Sequence, residues 1–273
     1  HQRGYRIAIL VASSLALIIA SNFSWTFAYK LMALITGLNI IITMIISTEN
    51  KNLTLKKLNH IDTMIEPLKD FFERFGLKMA AILLLIIASY RLTDIVMGPM
   101  ANPFYIDMGY TLSEIGYIVK VVALISTIVG VFVGGILIKK YGLYKSLLIG
   151  AFLVMITNLL FSYTAITDKN LTLLASIVAS DSLAAGIVGT VNITFLTSLV
   201  SQKYTGFQYA LLTSVMTFTG TIFKGFSGVI VESFQSLYGF NYGWMSFYIF
   251  TSCLALPAIL LIMSKKGFFV NSD

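Results

Sequence analysis

The chain has 273 residues, 57% of them hydrophobic and 11% charged, with a mean hydropathy of +0.86 and a formal net charge of +7. Those proportions exclude an ordinary soluble domain. One cysteine and two histidines leave little for a disulfide framework, a metal centre or a histidine-based triad.

A hydrocarbon core about 30 Å thick takes roughly 20 apolar residues to cross as a helix. Eight apolar segments meet that length, at residues 5–20, 25–46, 77–98, 112–138, 144–164, 171–199, 208–231 and 243–263. The sequence therefore reads as an all-α polytopic membrane protein with eight transmembrane helices. The layout is lopsided: two spans in residues 1–46, a polar stretch in 47–76, then six spans in 77–273. No cleavable signal peptide is evident, because the first apolar run leads directly into a second span. The chain begins with His1, so it is expected to be processed or part of something longer.

Within the polar stretch, Ile61, Met64, Ile65, Leu68, Phe71, Phe72 and Phe75 recur at helical spacing, with charges on the opposite face. This predicts an amphipathic helix lying at the membrane interface. Pro67 is expected to kink it or to start its second part. As a surface linker, or equally as a hinge, the segment would join the two groups of spans. Further on, Gly130 and Gly134 form a small-xxx-small pattern that lets helices approach closely. Gly186, Gly189, Gly220, Gly225 and Gly228 are expected to do the same or to permit bending.

The basic residues alternate between the two sides. Arg3, Arg6, Lys51, Lys56, Lys57, Lys69, Arg74, Lys78, Lys139, Lys140, Lys145, Lys203, Lys265 and Lys266 all fall on one set of connections, and Lys169 alone on the other. The positive-inside rule makes the first side cytoplasmic, with both termini inside. The net charge is then a topology signal and not a nucleic-acid-binding one.

Ionisable residues inside a bilayer are costly and usually face a cavity or a partner. Arg91 and Asp94 lie in the third predicted span, Lys120 in the fourth, Asp181 in the sixth and Lys224 in the seventh. Tyr90 shares a helix face with Asp94, and Arg91 stands three residues before it. At about 1.5 Å per residue, all five charges fall between the midplane and the outer half of the membrane. A shared polar cavity follows, slightly positive and suited to an anionic solute. The competing reading is a structural ion-pair network, strongest for Arg91 with Asp94. Lys30, nearer a span end, is expected to snorkel. Asn158 and Asn192 fit interhelical hydrogen bonds as well as solute contacts.

The stretch Tyr90-Arg-Leu-Thr-Asp94, then Pro103-Phe-Tyr, Gly109-Tyr-Thr-Leu-Ser-Glu-Ile-Gly116, Val119-Lys120, Ile128-Val-Gly-Val-Phe-Val-Gly-Gly-Ile-Leu137, Ile166-Thr-Asp-Lys169 and Gln208-Tyr-Ala-Leu-Leu212 resemble the C-terminal half of AmpG-type muropeptide permeases of the major facilitator superfamily. Gly4-Tyr-Arg6 and Leu31-Met-Ala-Leu34 are similar to that family's fifth and sixth helices. The resemblance implies a chain matching helices five to twelve, with the first four absent. Residues 1–46 would be the last two helices of the N-terminal bundle, 47–76 the cytoplasmic central loop and 77–273 the six-helix C-terminal bundle. It also implies proton-coupled import of anhydro-muropeptides from periplasm to cytoplasm, in a bacterial inner membrane.

By position, Arg91 and Asp94 match a basic residue and an Asp of the seventh helix, and Lys120 a Lys of the eighth. Asp181 falls where a Glu is usual. Two features depart from the pattern: Lys139 stands where many members have Asp, and the family's Arg after Gly220 is Thr221 here, with Lys224 three residues on. Substrate and proton binding are thus expected at Tyr90, Arg91, Asp94, Lys120, Asp181 and Lys224, without cofactor or metal. An enzyme is not expected, since the polar layer offers no matched acid–base pair. Alternatives are a carrier of another anionic metabolite, resembling acetyl-CoA transporters, or a remnant that needs a partner chain for the missing helices.

Overall fold

The computed structural model describes residues 25–46 and 60–270. The chain divides into two units, His1–Leu58 and Asn59–Asp273. The first predicted span and the start of the polar stretch lie outside the described residues.

In the first unit, α1 spans Trp25–Ile46, helical throughout the second predicted apolar run. Its 22 residues extend about 33 Å. Phe27, Leu34, Leu38, Ile41 and Met44 are exposed along it, and so is Lys30.

The described part of the second unit is all helical: α2 (His60–Tyr90), α3 (Leu92–Asp107), α4 (Leu112–Tyr117), a π-helical turn (Ile118–Val122), α5 (Ala123–Thr164), α6 (Leu171–Leu199), α7 (Thr205–Gly225), α8 (Ser227–Tyr238), α9 (Phe240–Cys253), α10 (Leu256–Ser264) and α11 (Lys266–Val270). Among the described residues, five stretches are long and apolar enough to cross a membrane: Ile65–Asp107, Ala123–Thr164, Leu171–Leu199, Thr205–Tyr238 and Phe240–Ser264.

The second of these is too long for one crossing. Its 42 residues would reach about 63 Å, twice the hydrocarbon thickness. It breaks at Gly142, whose φ of 75° suits glycine alone. Gly134 and Gly150, each eight residues from that break, both face α6. A Cβ on Gly134 would lie 3.1 Å from the Ile187 carbonyl, and one on Gly150 would lie 3.1 Å from Val188 Cγ2. The two halves of α5 therefore lie side by side as a hairpin, which separates the fourth and fifth predicted spans.

Gly76, with φ 70°, makes a similar break in α2. It divides the amphipathic segment from the apolar stretch that follows, so the bend falls here, while Pro67 sits inside the helix. A further difference concerns residues 99–111, expected as a connection. Helix α3 runs through Pro99 and Pro103 to Asp107. Phe104 and Tyr105 are buried there among Phe161, Trp244 and Tyr248, and the Trp244 indole N–H donates to Asp107 Oδ2 at 2.9 Å. Tertiary packing outweighs the two missing N–H donors, as membrane bundles allow. Similarly, the reversal expected over 232–242 tightens to Gly239, at φ 83°.

Helices α5 and α6 meet backbone to backbone. A Cβ on Gly130 would strike the Leu183 carbonyl oxygen, and one on Gly186 would lie 3.0 Å from Gly130 Cα. The small-residue pattern thus acts as expected, and Gly220 likewise receives Ile95. Gly189, Gly225 and Gly228 meet nothing within 4 Å.

One end of the unit gathers the amphipathic segment, the Gly142 reversal, the 200–204 connection and the described part of the tail. Phe75 packs on Phe268 at 5.8 Å, and Tyr144 and Phe195 pack on Phe269 at 6.0 and 5.7 Å. Gln208, wholly buried, ties these pieces together. Its Nε2 donates to the Pro67 carbonyl (2.8 Å) and Asp70 Oδ2 (2.9 Å); its Oε1 accepts from Arg74 Nη2 (3.0 Å) and the Ser201 N–H (2.7 Å). Arg74 also donates to Leu199 O, and the Tyr204 hydroxyl donates to Glu66. The other end holds Lys169 paired with Glu114 at 2.8 Å, beside the capping box that Thr111 and Glu114 form at the start of α4.

Candidate functional site

Two apolar cores divide the second unit along its length, and a group of polar and charged residues falls between them. Along the third span the first core ends at Tyr90 and the second begins at Met97. On α5 the same gap lies between Val154 and Phe161, on α6 between Val178 and Ala184, and on the last span between Tyr248 and Ala255. These gaps hold Arg91 and Asp94, Thr157 and Asn158, Asp181, and Thr251 with Ser252. The bundle thus has a polar waist to which four spans contribute.

Part of this waist opens into a cavity of about 260 Å³. Arg91, Asp94, Tyr105, Asp181 and Ser182 supply its polar wall, and Met97, Ala101, Val119, Ala123 and Val178 its apolar one. Helix α3 starts afresh after Arg91, at φ −109°, so the cation sits at a break in the span. Its Nη2 lies 3.6 Å from Asp94 Oδ2, with side chains 32% and 18% exposed. That is charge pairing, but too long for a hydrogen bond. Arg91 Nε and Asp94 Oδ2 are buried and have no hydrogen-bond partner in the protein. Both keep hydrogen-bonding capacity for a third group. Asp181 Oδ1 accepts from the Thr157 hydroxyl at 3.1 Å. Among the described lining groups no cation pairs with Asp181.

The other half of the waist is closed. The Thr251 hydroxyl donates to Asn158 Oδ1 at 2.8 Å, Asn158 Nδ2 to the Val154 carbonyl at 3.0 Å, and the Ser252 hydroxyl to the Met155 carbonyl at 2.9 Å. Asn158 is therefore an interhelical tie. Asn192 donates to Met216 Sδ at 3.4 Å, away from the cavity.

The expected site residues divide accordingly. Arg91, Asp94 and Asp181 line one cavity together. Tyr90 does not line it: buried, it donates its hydroxyl to the Leu147 carbonyl at 3.2 Å. Lys224, in the last turn of α7, is exposed and off the cavity wall. Lys120 lies in the π-helical turn between the lining residues Val119 and Ala123, and its side chain is outside the described set. The described lining charges are then one cation and two carboxylates; the positive balance expected from sequence also counted Lys120 and Lys224. Tyr105, Thr157 and Ser182 join the site without having been expected there. For the last two the one signal was adjacency: Thr157 precedes Asn158, and Ser182 follows Asp181. Among the described residues no cluster of His, Cys, Asp and Glu could hold a metal ion.

Comparison with known proteins bears on what such a cavity does. The family profile of the Major Facilitator Superfamily matches residues 3–224. A putative transporter, AmpG 4, of Rickettsia conorii is 33% identical, covering 95% of this chain and 62% of its own length. The anhydromuropeptide permease of Escherichia coli K12 is 30% identical over 95% of this chain and 51% of its own. A putative transporter, AmpG 1, of Rickettsia bellii is 27% identical over 97% and 64%. The chain thus spans about half to two thirds of the length of these relatives. No solved structure matches it.

Proposed function

The chain belongs to the Major Facilitator Superfamily, a multi-pass membrane protein and no enzyme, and from that membership and its charged cavity we propose that it is a permease of the AmpG type, or the larger part of one. Its solute is an anhydro-muropeptide, imported from periplasm to cytoplasm across a bacterial inner membrane with protons. The observation that carries the reading is the convergence of Arg91, Asp94 and Asp181 on one cavity between two apolar cores.

The chemistry assigns a role to each. Arg91 offers a planar donor fork suited to a solute carboxylate, and its loose pairing with Asp94 leaves room for one. Asp181, held only by a hydroxyl among the described residues, is the group best placed to take up and release a proton. Tyr105 and the apolar wall would bound the sugar and peptide. Lys120 and Lys224 remain candidates on the path, Lys120 by its place beside the cavity.

Transport by rocking bundles needs a second wall opposite this one. Further helices supply it, in the same polypeptide or in a partner chain, which accords with the greater length of the relatives. Both termini of this sequence face the cytoplasm, in keeping with the basic end of the unit: Arg74, Lys78, Lys139, Lys140, Lys145, Lys203, Lys265 and Lys266 lie there.

The test is uptake of labelled anhydro-muropeptide into membrane vesicles with an imposed proton gradient. Asp181→Asn and Arg91→Gln should each abolish gradient-driven uptake while membrane insertion is unchanged. Asp181→Asn should still catalyse exchange of solute without a gradient. Normal driven uptake by Asp181→Asn would sink the proton assignment. Uptake of acetyl-CoA in place of muropeptide would move the solute to the other anionic class.

A further inference from the structure

A second cavity, of about 380 Å³, lies at the basic end of the unit, far along the bundle from the polar waist. It is an open groove formed where the chain breaks at Gly76 and passes from interfacial helix to span. Lys78 and Lys265 form its charged part, and Phe75, Leu77, Met79 and Ile82 its apolar part. Its size is within the roughly 300–1,000 Å³ of small-ligand clefts.

The charges in this groove are uncompensated. No carboxylate lines it. The nearby acids on α2 are engaged elsewhere, Glu73 with Lys69 and Asp70 with Arg74 and Gln208. Neither Lys78 nor Lys265 pairs with a carboxylate among the described residues. Lys265 stands between α10 and α11 and Lys78 two residues past the Gly76 break, so both are held at helix ends. Leu77 is 76% exposed at the same level, facing away from the bundle.

The groove therefore presents cations and hydrocarbon within a few residues, at the depth where an interfacial helix gives way to a span. A soluble anion would use only the first, and a hydrocarbon chain only the second. We propose that this groove binds an anionic phospholipid, with the headgroup phosphate between Lys78 and Lys265 and an acyl chain along Leu77 and Ile82. Basic pockets between membrane helices hold anionic headgroups on the same physical grounds. The lipid would hold the interfacial helix and the last span in a common register at the bilayer surface. Solute transport plays no part in this argument.

The experiment is native mass spectrometry of the detergent-solubilised chain titrated with phosphatidylglycerol, phosphatidylcholine and inorganic phosphate. Phosphatidylglycerol should bind in preference to phosphatidylcholine, and phosphate at equal concentration should not displace it. The double variant Lys78→Gln/Lys265→Gln should weaken phosphatidylglycerol about thirtyfold, the ordinary contribution of two lysines at a membrane surface. Lys139→Gln/Lys140→Gln removes two exposed lysines from the same end and should change binding less than threefold. Equal binding of the two lipids, equal loss in both double variants, or displacement by phosphate would each overturn the proposal.

Discussion

Replacing Gly130 by alanine tests the packing of the bundle against a built-in control. The new Cβ would strike the Leu183 carbonyl oxygen and would lie 3.0 Å from the Leu183 carbonyl carbon and 3.1 Å from Gly186 Cα. All three are backbone atoms, so no side chain can swing aside, and α5 and α6 must separate. Overpacking of this kind costs about 1–3 kcal/mol. Gly189→Ala, also within a helix, meets nothing within 4 Å. Both substitutions gain the same helix propensity, about 1 kcal/mol at most. Subtracting one from the other cancels that gain and leaves the contact cost. Gly130→Ala should be less stable than Gly189→Ala by about 1–3 kcal/mol, read by denaturant or thermal unfolding in detergent micelles. Gly189→Ala itself should match or exceed the parent. A difference below about 0.5 kcal/mol, or one of opposite sign, would refute close backbone contact at this seam.

Further outcomes follow from the hydrogen bonds. Gln208→Leu removes the described partner of the Ser201 N–H and one partner of the buried Pro67 carbonyl; it should cost about 2–4 kcal/mol of unfolding free energy. Arg74 keeps Leu199 and Asp70 in that variant, so the interfacial helix should loosen without being lost, which trypsin cleavage at Lys69 reports. Asn158→Leu removes the tie to Thr251 across the two helices and leaves the Thr251 hydroxyl only the Tyr248 carbonyl of its own helix; it should cost about 1 kcal/mol in the same unfolding assay. Lys169→Met should lower unfolding stability only slightly, because its Glu114 partnership is at the surface, and added salt should erase the difference.

Much of the fold is legible as a pattern of long apolar runs. Residues 171–199 form a helix that starts where expected because Asn170 caps the run, accepting from the Leu173 N–H. The reversal near residue 142 is legible because three lysines and a glycine interrupt two apolar runs. The continuation of α3 past two prolines is not, since it depends on aromatic contacts with residues more than 50 positions away. For the site, a charge inside a span announces itself, which makes Arg91, Asp94 and Asp181 readable. Thr157 and Tyr105 carry no such signal: hydroxyls and aromatics are common throughout the spans, and only the folded packing selects two of them. Which face a charge presents is equally hidden. Lys224 lies inside an apolar run just as Arg91, Asp94 and Asp181 do, yet it is exposed and stands off the cavity wall.

The hairpin at Gly142 bears on how the protein enters the membrane. The residues on either side of Gly142 are helical, so the two spans are joined with no slack. Neither span can be threaded and left waiting while its neighbour is delayed; the pair must partition into lipid as one unit. A glycosylation tag or epitope placed at residue 142 would pull that unit apart and should block insertion, whereas the connection at 165–170 leaves chain outside the helices to accept one. The same tightness fixes relative depth. Residues equally far from Gly142 on its two sides travel together, and no sliding of one span past the other can occur without breaking the turn.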